Sequence, residues 1–262
     1  MEGENMKFRP CIDIHNGKVK QIVGGSLLDA GNQAKENFVS EQDAAFYANT
    51  YKERNITGGH IILLNPASSQ YYEETKNQAL KALKAYPGGM QLGGGVTSEN
   101  AKEYIGAGAS HVIVTSYVFK NGVVNWDNLE RLVDTVGKER IVLELSCRKK
   151  EDGYYVVTDR WQKFTKEKLE PETLEKFHKF CDEFLIHAVD VEGKASGIEK
   201  DLAKMLGEYG KLPITYAGGV GTYEDIKQLA WLGQHRLDVT IGSALDLFGG
   251  TLKFEEVLKM MD

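Results

Sequence analysis

Leu92-Gly93-Gly94-Gly95-Val96 and, about half a chain later, Ala217-Gly218-Gly219-Val220 decide the fold. Each follows a short apolar run and opens a helical pattern. Each is also followed by a second apolar run that ends in a small pair, Thr115-Ser116 in one case and Gly242-Ser243 in the other. Glycines at the end of a strand let backbone approach closely, and the unpaired N–H groups of a following helical turn attract an anion. One such cluster is most simply a structural turn. Two of them, with matching sequels, predict two phosphate sites: Gly93, Gly94, Gly95, Thr115 and Ser116 on one side, Gly218, Gly219, Gly242 and Ser243 on the other. The ligand this implies is a small molecule with a phosphate at each end.

Working outward, short buried strands alternate with amphipathic helices. Strands are expected over 8–14, 60–64, 90–92, 112–114, 141–145, 184–188, 212–216 and 239–241. Helices are expected over 40–55, 71–85, 98–107, 125–136, 171–180, 196–209, 222–232 and 251–261, with Ser40 opening the first and Thr222 and Asp225 forming a capping box in the seventh. Residues 19–23 read as extended, 24–38 as a loop, and 154–157 as part of a small hairpin. Eight βα units in 262 residues predict an α/β fold, a (β/α)8 TIM barrel built from two duplicated half-barrels, with 1–262 as a single domain. The internal repeat matches strands three and four to strands seven and eight, so the two glycine turns face each other across the barrel mouth.

Composition narrows the function. The net charge of −6 and the lack of a Lys/Arg block argue against nucleic acid. No apolar run approaches a membrane span, and residues 1–7 lack the apolar core of a signal peptide, so a cytoplasmic protein is expected. Cys11, Cys147 and Cys181 have neither zinc nor disulfide spacing; no metal site is expected.

The ends of strands one and five lie between the two anion sites. Asp13 closes strand one, and Glu144 and Ser146 share a face of strand five because strand side chains alternate. Two carboxylates flanking a substrate suit general acid–base catalysis. Asp13 also precedes the Asn16-Gly17 turn, so a turn-forming role competes. Glu144 inside an apolar run is harder to explain as structure. Strand six supplies His187, and Asp190 and Glu192 follow it at alternate positions; His187, inside an apolar run, reads more readily as a structural histidine. Trp161 reads either as a movable cover for a flat base or as packing beneath its own loop.

Longer motifs then carry a resemblance. Arg9 to Gly25, Leu145-Ser146-Cys147-Arg148-Lys149, Asp159-Arg160-Trp161-Gln162 and His187-Ala188-Val189-Asp190-Val191-Glu192-Gly193 resemble the histidine-biosynthesis ribotide isomerase family in its eukaryotic-type form. With the glycine turns, the match spans essentially the whole chain. The resemblance implies an Amadori rearrangement of a bis-phosphorylated aminoaldose to an aminoketose, with no cofactor because the imine is the electron sink. It implies Asp13 as general base. It implies substrate contacts among Gln21, Arg148, Trp161 and His187. Bacterial members end strand five with an Asp where Ser146 stands, and Ala188 and Glu192 stand where those members have a Thr and an Asp. Glu144 is therefore the first choice for the general acid, with Asp190 or Glu192 as alternatives. A monomer is expected. The competing readings are the sister imidazole-glycerol-phosphate cyclase-type barrel, which needs a strand-one lysine and usually a strand-five Asp; phosphoribosylanthranilate isomerase, which has one phosphate to hold; and a non-catalytic phosphoribosyl-binding barrel, for which paired carboxylates are redundant.

Overall fold

The computed structural model describes residues 6–22, 26, 34–158, 161–194 and 196–261. Val23-Gly24-Gly25, most of the stretch expected as a loop, and Asp159-Arg160 of the matched motif lie outside them. Eight parallel strands form the centre: β1 (Cys11–His15), β2 (Gly59–Leu63), β3 (Met90–Gly93), β4 (Val112–Val114), β5 (Ile141–Glu144), β6 (Glu183–His187), β7 (Ile214–Ala217) and β8 (Leu237–Thr240). They run in sequence order across the sheet. Just before β1, Phe8 forms a parallel bridge with Val239 of β8, Arg9 N donates to Val239 O at 2.8 Å and Val239 N to Lys7 O at 2.9 Å. These bonds join the last strand to the first and complete the ring. Arg9 Nε reinforces the seam through Asp238 at 2.7 Å.

Among the described residues eight α-helices surround the strands: α1 (Ala44–Glu53), α2 (Tyr72–Ala85), α3 (Ala101–Gly106), α4 (Trp126–Val136), α5 (Pro171–Phe177), α6 (Lys200–Tyr209), α7 (Tyr223–Leu232) and α8 (Phe254–Lys259). The main apolar core lies between strands and helices, where outward-facing residues such as Ile12, Ile61, Leu92 and Leu143 meet Tyr51, Leu83 and Leu132. Inside the barrel a small apolar layer of Ile113, Val142, Leu185 and Ala217, flanked by Ile62, separates two polar layers. Below it, toward the strand N-termini, Glu183 accepts from Gln91 Nε2 at 2.9 Å and from Thr215 Oγ1 at 3.0 Å. Above it, one side-chain step further along the strands, lie Asp13, Glu144 and His187. That order follows from the period of two.

The structure shifts several expected boundaries. Helix α1 is capped by Asp43, whose Oδ1 accepts from Phe46 N at 3.0 Å; Ser40 is drawn instead into a hydrogen bond with the Tyr47 hydroxyl at 2.9 Å. Glu36–Val39, expected within a loop, pairs with the strand Lys18–Ile22, which itself runs antiparallel to β1. Helix α6 begins at Lys200, later than expected, because Gly197 N is used to bond Gly219 O at 3.1 Å. Helix α8 begins at Phe254 because Leu252 is engaged in a bridge with Leu245. The small hairpin is a three-stranded sheet of Cys147–Lys150, Gly153–Thr158 and Lys163–Lys168. The capping box of α7 forms as read: Thr222 Oγ1 accepts from Asp225 N, and Asp225 Oδ2 accepts from Thr222 N. Among the described residues no helix is long and apolar enough to cross a membrane.

Candidate active site

The two glycine turns have the same backbone. Gly94 and Gly95 have φ of +96° and +70°, Gly218 and Gly219 of +117° and +79°, a region that favours glycine. A Cβ on Gly94 would lie 2.2 Å from Leu63 O, at the end of β2; a Cβ on Gly218 would lie 2.6 Å from Ala188 O, just past β6. The half-barrel repeat read from the sequence is thus present in three dimensions: β2 is to the first turn what β6 is to the second.

A cavity opens at the C-terminal ends of the strands. Its walls include Asp13, Gln21, Glu144, Trp161, His187 and Glu192, and the second cradle, Gly218, Gly219, Gly242 and Ser243. The first cradle is not part of its lining. Thr115 Oγ1 donates to Glu144 Oε2 at 2.8 Å, and Ser116, itself exposed, begins the 3-10 turn Ser116–Val118. A Cβ on Gly242 would meet Gln21 Oε1 at 2.3 Å, so the Gln21 amide would have to shift to admit one. Asp190 and Arg148 stand apart from the cavity walls. Arg148 Nε donates to Asp190 Oδ1 at 2.8 Å and Lys149 N to Asp190 Oδ2 at 3.0 Å, so this pair clamps the hairpin sheet to the segment after β6.

Electrostatics divide the charged groups by role. Burial, with the charges of Glu192 and Glu144 added, pushes Asp13 up to about 7 against the pull of His187. Burial works against the charge of Glu144 as well, but the nearby charge of His187 and hydrogen bonds from Ser146 and Thr115 overcome it and hold this carboxyl below its usual range. His187 is buried too; the neighbouring carboxylates of Glu192 and Glu144 outweigh that and carry it up to about 10. Its Nε2 lies 3.1 Å from Glu192 Oε2 and its Nδ1 3.9 Å from Glu144 Oε1. The indole of Trp161 meets the imidazole edge-on, with centroids 5.1 Å apart, and Trp161 Nε1 donates to Ser146 Oγ at 3.1 Å. The arrangement can hold one carboxyl poised near neutrality, one carboxylate and one imidazolium within a single cleft.

Sequence reasoning passed over His60, which lines the cavity floor and is kept neutral, down to about 4, chiefly by burial. Its signal was present: it stands two residues before Ile62, on the inward face of β2. The partnership of Thr115 with Glu144 was also not legible, because it joins two strands through side chains.

Barrel and mouth define the class: a (β/α)8-barrel enzyme whose cavity, lined by carboxylates and a glycine turn, opens at the C-terminal ends of the strands. Comparison with known proteins makes this specific. Residues 7–252 match the family described as histidine biosynthesis protein. Over 260 residues the chain is 51% identical to the chloroplastic 1-(5-phosphoribosyl)-5-((5-phosphoribosylamino)methylideneamino)imidazole-4-carboxamide isomerase of Medicago truncatula, covering 97% of this chain and 81% of that protein. It is 43% identical to the isomerase of the same name from Saccharomyces cerevisiae, covering 95% of this chain and 96% of the other. The Neurospora crassa isomerase is 42% identical, with 93% of each chain covered. The chain belongs to the histidine biosynthesis protein family, among its aldose–ketose isomerases.

Proposed function

We propose that the substrate is phosphoribosylformimino-aminoimidazole-carboxamide ribotide, held by a phosphate at each glycine cradle, and that Asp13 and Glu144 work on its ribose from opposite walls. The acid half-site protonates the ring oxygen. The C1–O bond then breaks, its electron pair stays on oxygen, and the nitrogen lone pair forms the C=N bond of a Schiff base. Asp13 takes the proton from C2, giving an enolamine. The enolamine collapses to the C2 ketone as C1 gains a proton. Two protons leave C2 and its hydroxyl and two arrive at C1 and the ring oxygen, so no net proton is consumed. Trp161, His187 and Gln21 contact the substrate in this reading, with Ser146 and Glu192 supporting the acid half-site.

The observation that carries the reading is the contrast within the carboxylate pair. Asp13, poised at about 7, exists in both protonation states at neutral pH, as a group that accepts and returns a proton requires. Glu144 lies in the same cavity on β5. The reading also takes 1–262 as one barrel acting as a monomer in the cytoplasm; three unpaired cysteines fit a reducing compartment. Complementation tests the function: the wild-type chain should restore growth of a histidine auxotroph lacking this isomerase, and Asp13→Asn should not. Failure of the wild type, or growth with Asp13→Asn, contradicts the reading.

A further inference from the structure

Strand register identifies which residue on β5 answers Asp13. Asp13 lies opposite Ile62 of β2. Glu144 lies opposite Leu185 of β6, so two residues on, Ser146 lies opposite His187. The glycine turns carry Leu63 onto Ala188, and therefore Ile62 onto His187. The half-barrel rotation thus superposes Asp13 on Ser146, a residue that cannot act as a carboxylic acid. The carboxylate of β5 is one side-chain step lower, at Glu144, and it receives hydrogen bonds from Ser146 Oγ at 2.7 Å and Thr115 Oγ1 at 2.8 Å. Those bonds favour its ionised form, which has no proton to give.

A proton source stands beside it. The His187 imidazole has one nitrogen on Glu192 Oε2, at 3.1 Å, and the other 3.4 Å from Ser146 Oγ. Ser146 Oγ in turn is fixed by Trp161 Nε1 at 3.1 Å. The contacts form an unbroken line, Glu192, His187, Ser146, Glu144, with His187 only 13% exposed and closed off by the indole edge.

We propose that His187 is the proton-holding positioning residue of the acid half-site, loading Glu144 through the Ser146 hydroxyl while Glu192 holds the imidazole in place. The proposal rests on the catalytic reading above and deepens it. The step is a concerted shift: as the C1–O bond breaks and its electron pair moves onto the ring oxygen, His187 Nδ1 gives its proton to Ser146 Oγ, the Ser146 proton passes to Glu144 Oε1, and the Glu144 carboxyl hands that proton to the ring oxygen, so neutral Glu144 does not accumulate. The line is reset within the turnover, because the proton borrowed here is replaced by one lost from the substrate at C2 or its hydroxyl. The charged and titratable groups facing His187 are Asp13 on β1, His60 on β2, Glu144 on β5 and Glu192 after β6.

The test is the pH profile of kcat for the wild type, Ser146→Ala, His187→Gln and Glu192→Gln, each checked for folding by circular dichroism, with Asp13→Asn as control. The wild type should lose kcat on an alkaline limb as His187 gives up its proton. His187→Gln should lose about 10²-fold in kcat with KM changed little, and that limb should vanish. Glu192→Gln should move the limb to lower pH, since the carboxylate that favours the imidazolium is gone. His187→Gln with kcat within about threefold of wild type and an unmoved limb overturns the proposal. If His187→Gln does not fold, Ser146→Ala decides: a kcat loss of about tenfold or more supports the relay, and one below about threefold overturns it. An active Asp13→Asn would sink the catalytic reading itself; an inactive Asp13→Asn beside a wild-type-like His187→Gln would sink the relay alone.

Discussion

In the proposed function Asp13 is the residue on which activity turns, and its setting gives it a pH signature. Burial and two neighbouring carboxylates raise it to about 7. A base acts when ionised, and a raised value means ionisation is lost on acidification through about pH 7, where an ordinary Asp would still be charged. kcat/KM should therefore rise as pH increases through about 7 in wild-type protein. Glu192→Gln removes the largest like charge acting on Asp13, so this acid limb should move to lower pH; a limb that stays in place would show that Asp13 does not set it. Asp13 and Glu144 were both legible in the sequence, one from the matched opening motif and one from a charge inside an apolar strand. Their division of labour was not. It depends on Thr115, and on His187 and Glu192, approaching from two other parts of the chain, and contact between distant segments has no local pattern. Asp190 illustrates the same limit: its alternating position after β6 suited the mouth, yet Arg148 and Lys149 N hold it at the hairpin sheet.

At the scale of elements, the glycine turns make predictions that differ between neighbours. Gly94→Ala combines a φ of +96° with a Cβ driven into Leu63 O, whereas Gly95→Ala, at φ +70°, meets nothing within 4 Å. Backbone strain alone costs about 1–3 kcal/mol, so Gly95→Ala should stay in that range and Gly94→Ala should exceed it, as read from urea denaturation midpoints. Equal losses at both sites would show that close approach to β2 is unimportant. In α7, Thr222→Ala removes the side chain that caps Asp225 N and should cost about 1 kcal/mol in the same measurement. These elements were the most legible part of the chain, because capping residues and glycines act within a few positions of themselves. Strand Glu36–Val39 was missed because an edge strand with exposed, polar residues carries no apolar alternation; its partner Lys18–Ile22 supplies the order.

For the whole molecule, the ring and its repeat organise everything above. The seam between β8 and β1 is held by backbone bonds around Val239 and by Asp238, which accepts from Arg9 Nε at 2.7 Å and from Lys7 N at 2.8 Å. The Arg9 and Asp238 side chains are only 12% and 14% exposed. Removing one partner of a largely buried pair costs about 3–5 kcal/mol, so Asp238→Ala should destabilise the fold on that scale while leaving KM little changed. The count of βα units gave the barrel from sequence, but only the bonds from Lys7 and Arg9 to β8 complete it. The repeat also underlies the proposal that one substrate spans the mouth with a phosphate on each cradle. In the described structure the second cradle lines the cavity and the first does not. The most direct measurement is a crystal structure of Asp13→Asn with the bis-phosphorylated substrate bound. One phosphate should lie on the amides around Gly94 and Gly95 with Thr115-Ser116, the other around Gly218, Gly219 and Gly242-Ser243, and the ribose between Asn at position 13 and Glu144. A substrate bound through the second cradle alone, with its ribose away from both side chains, would contradict it.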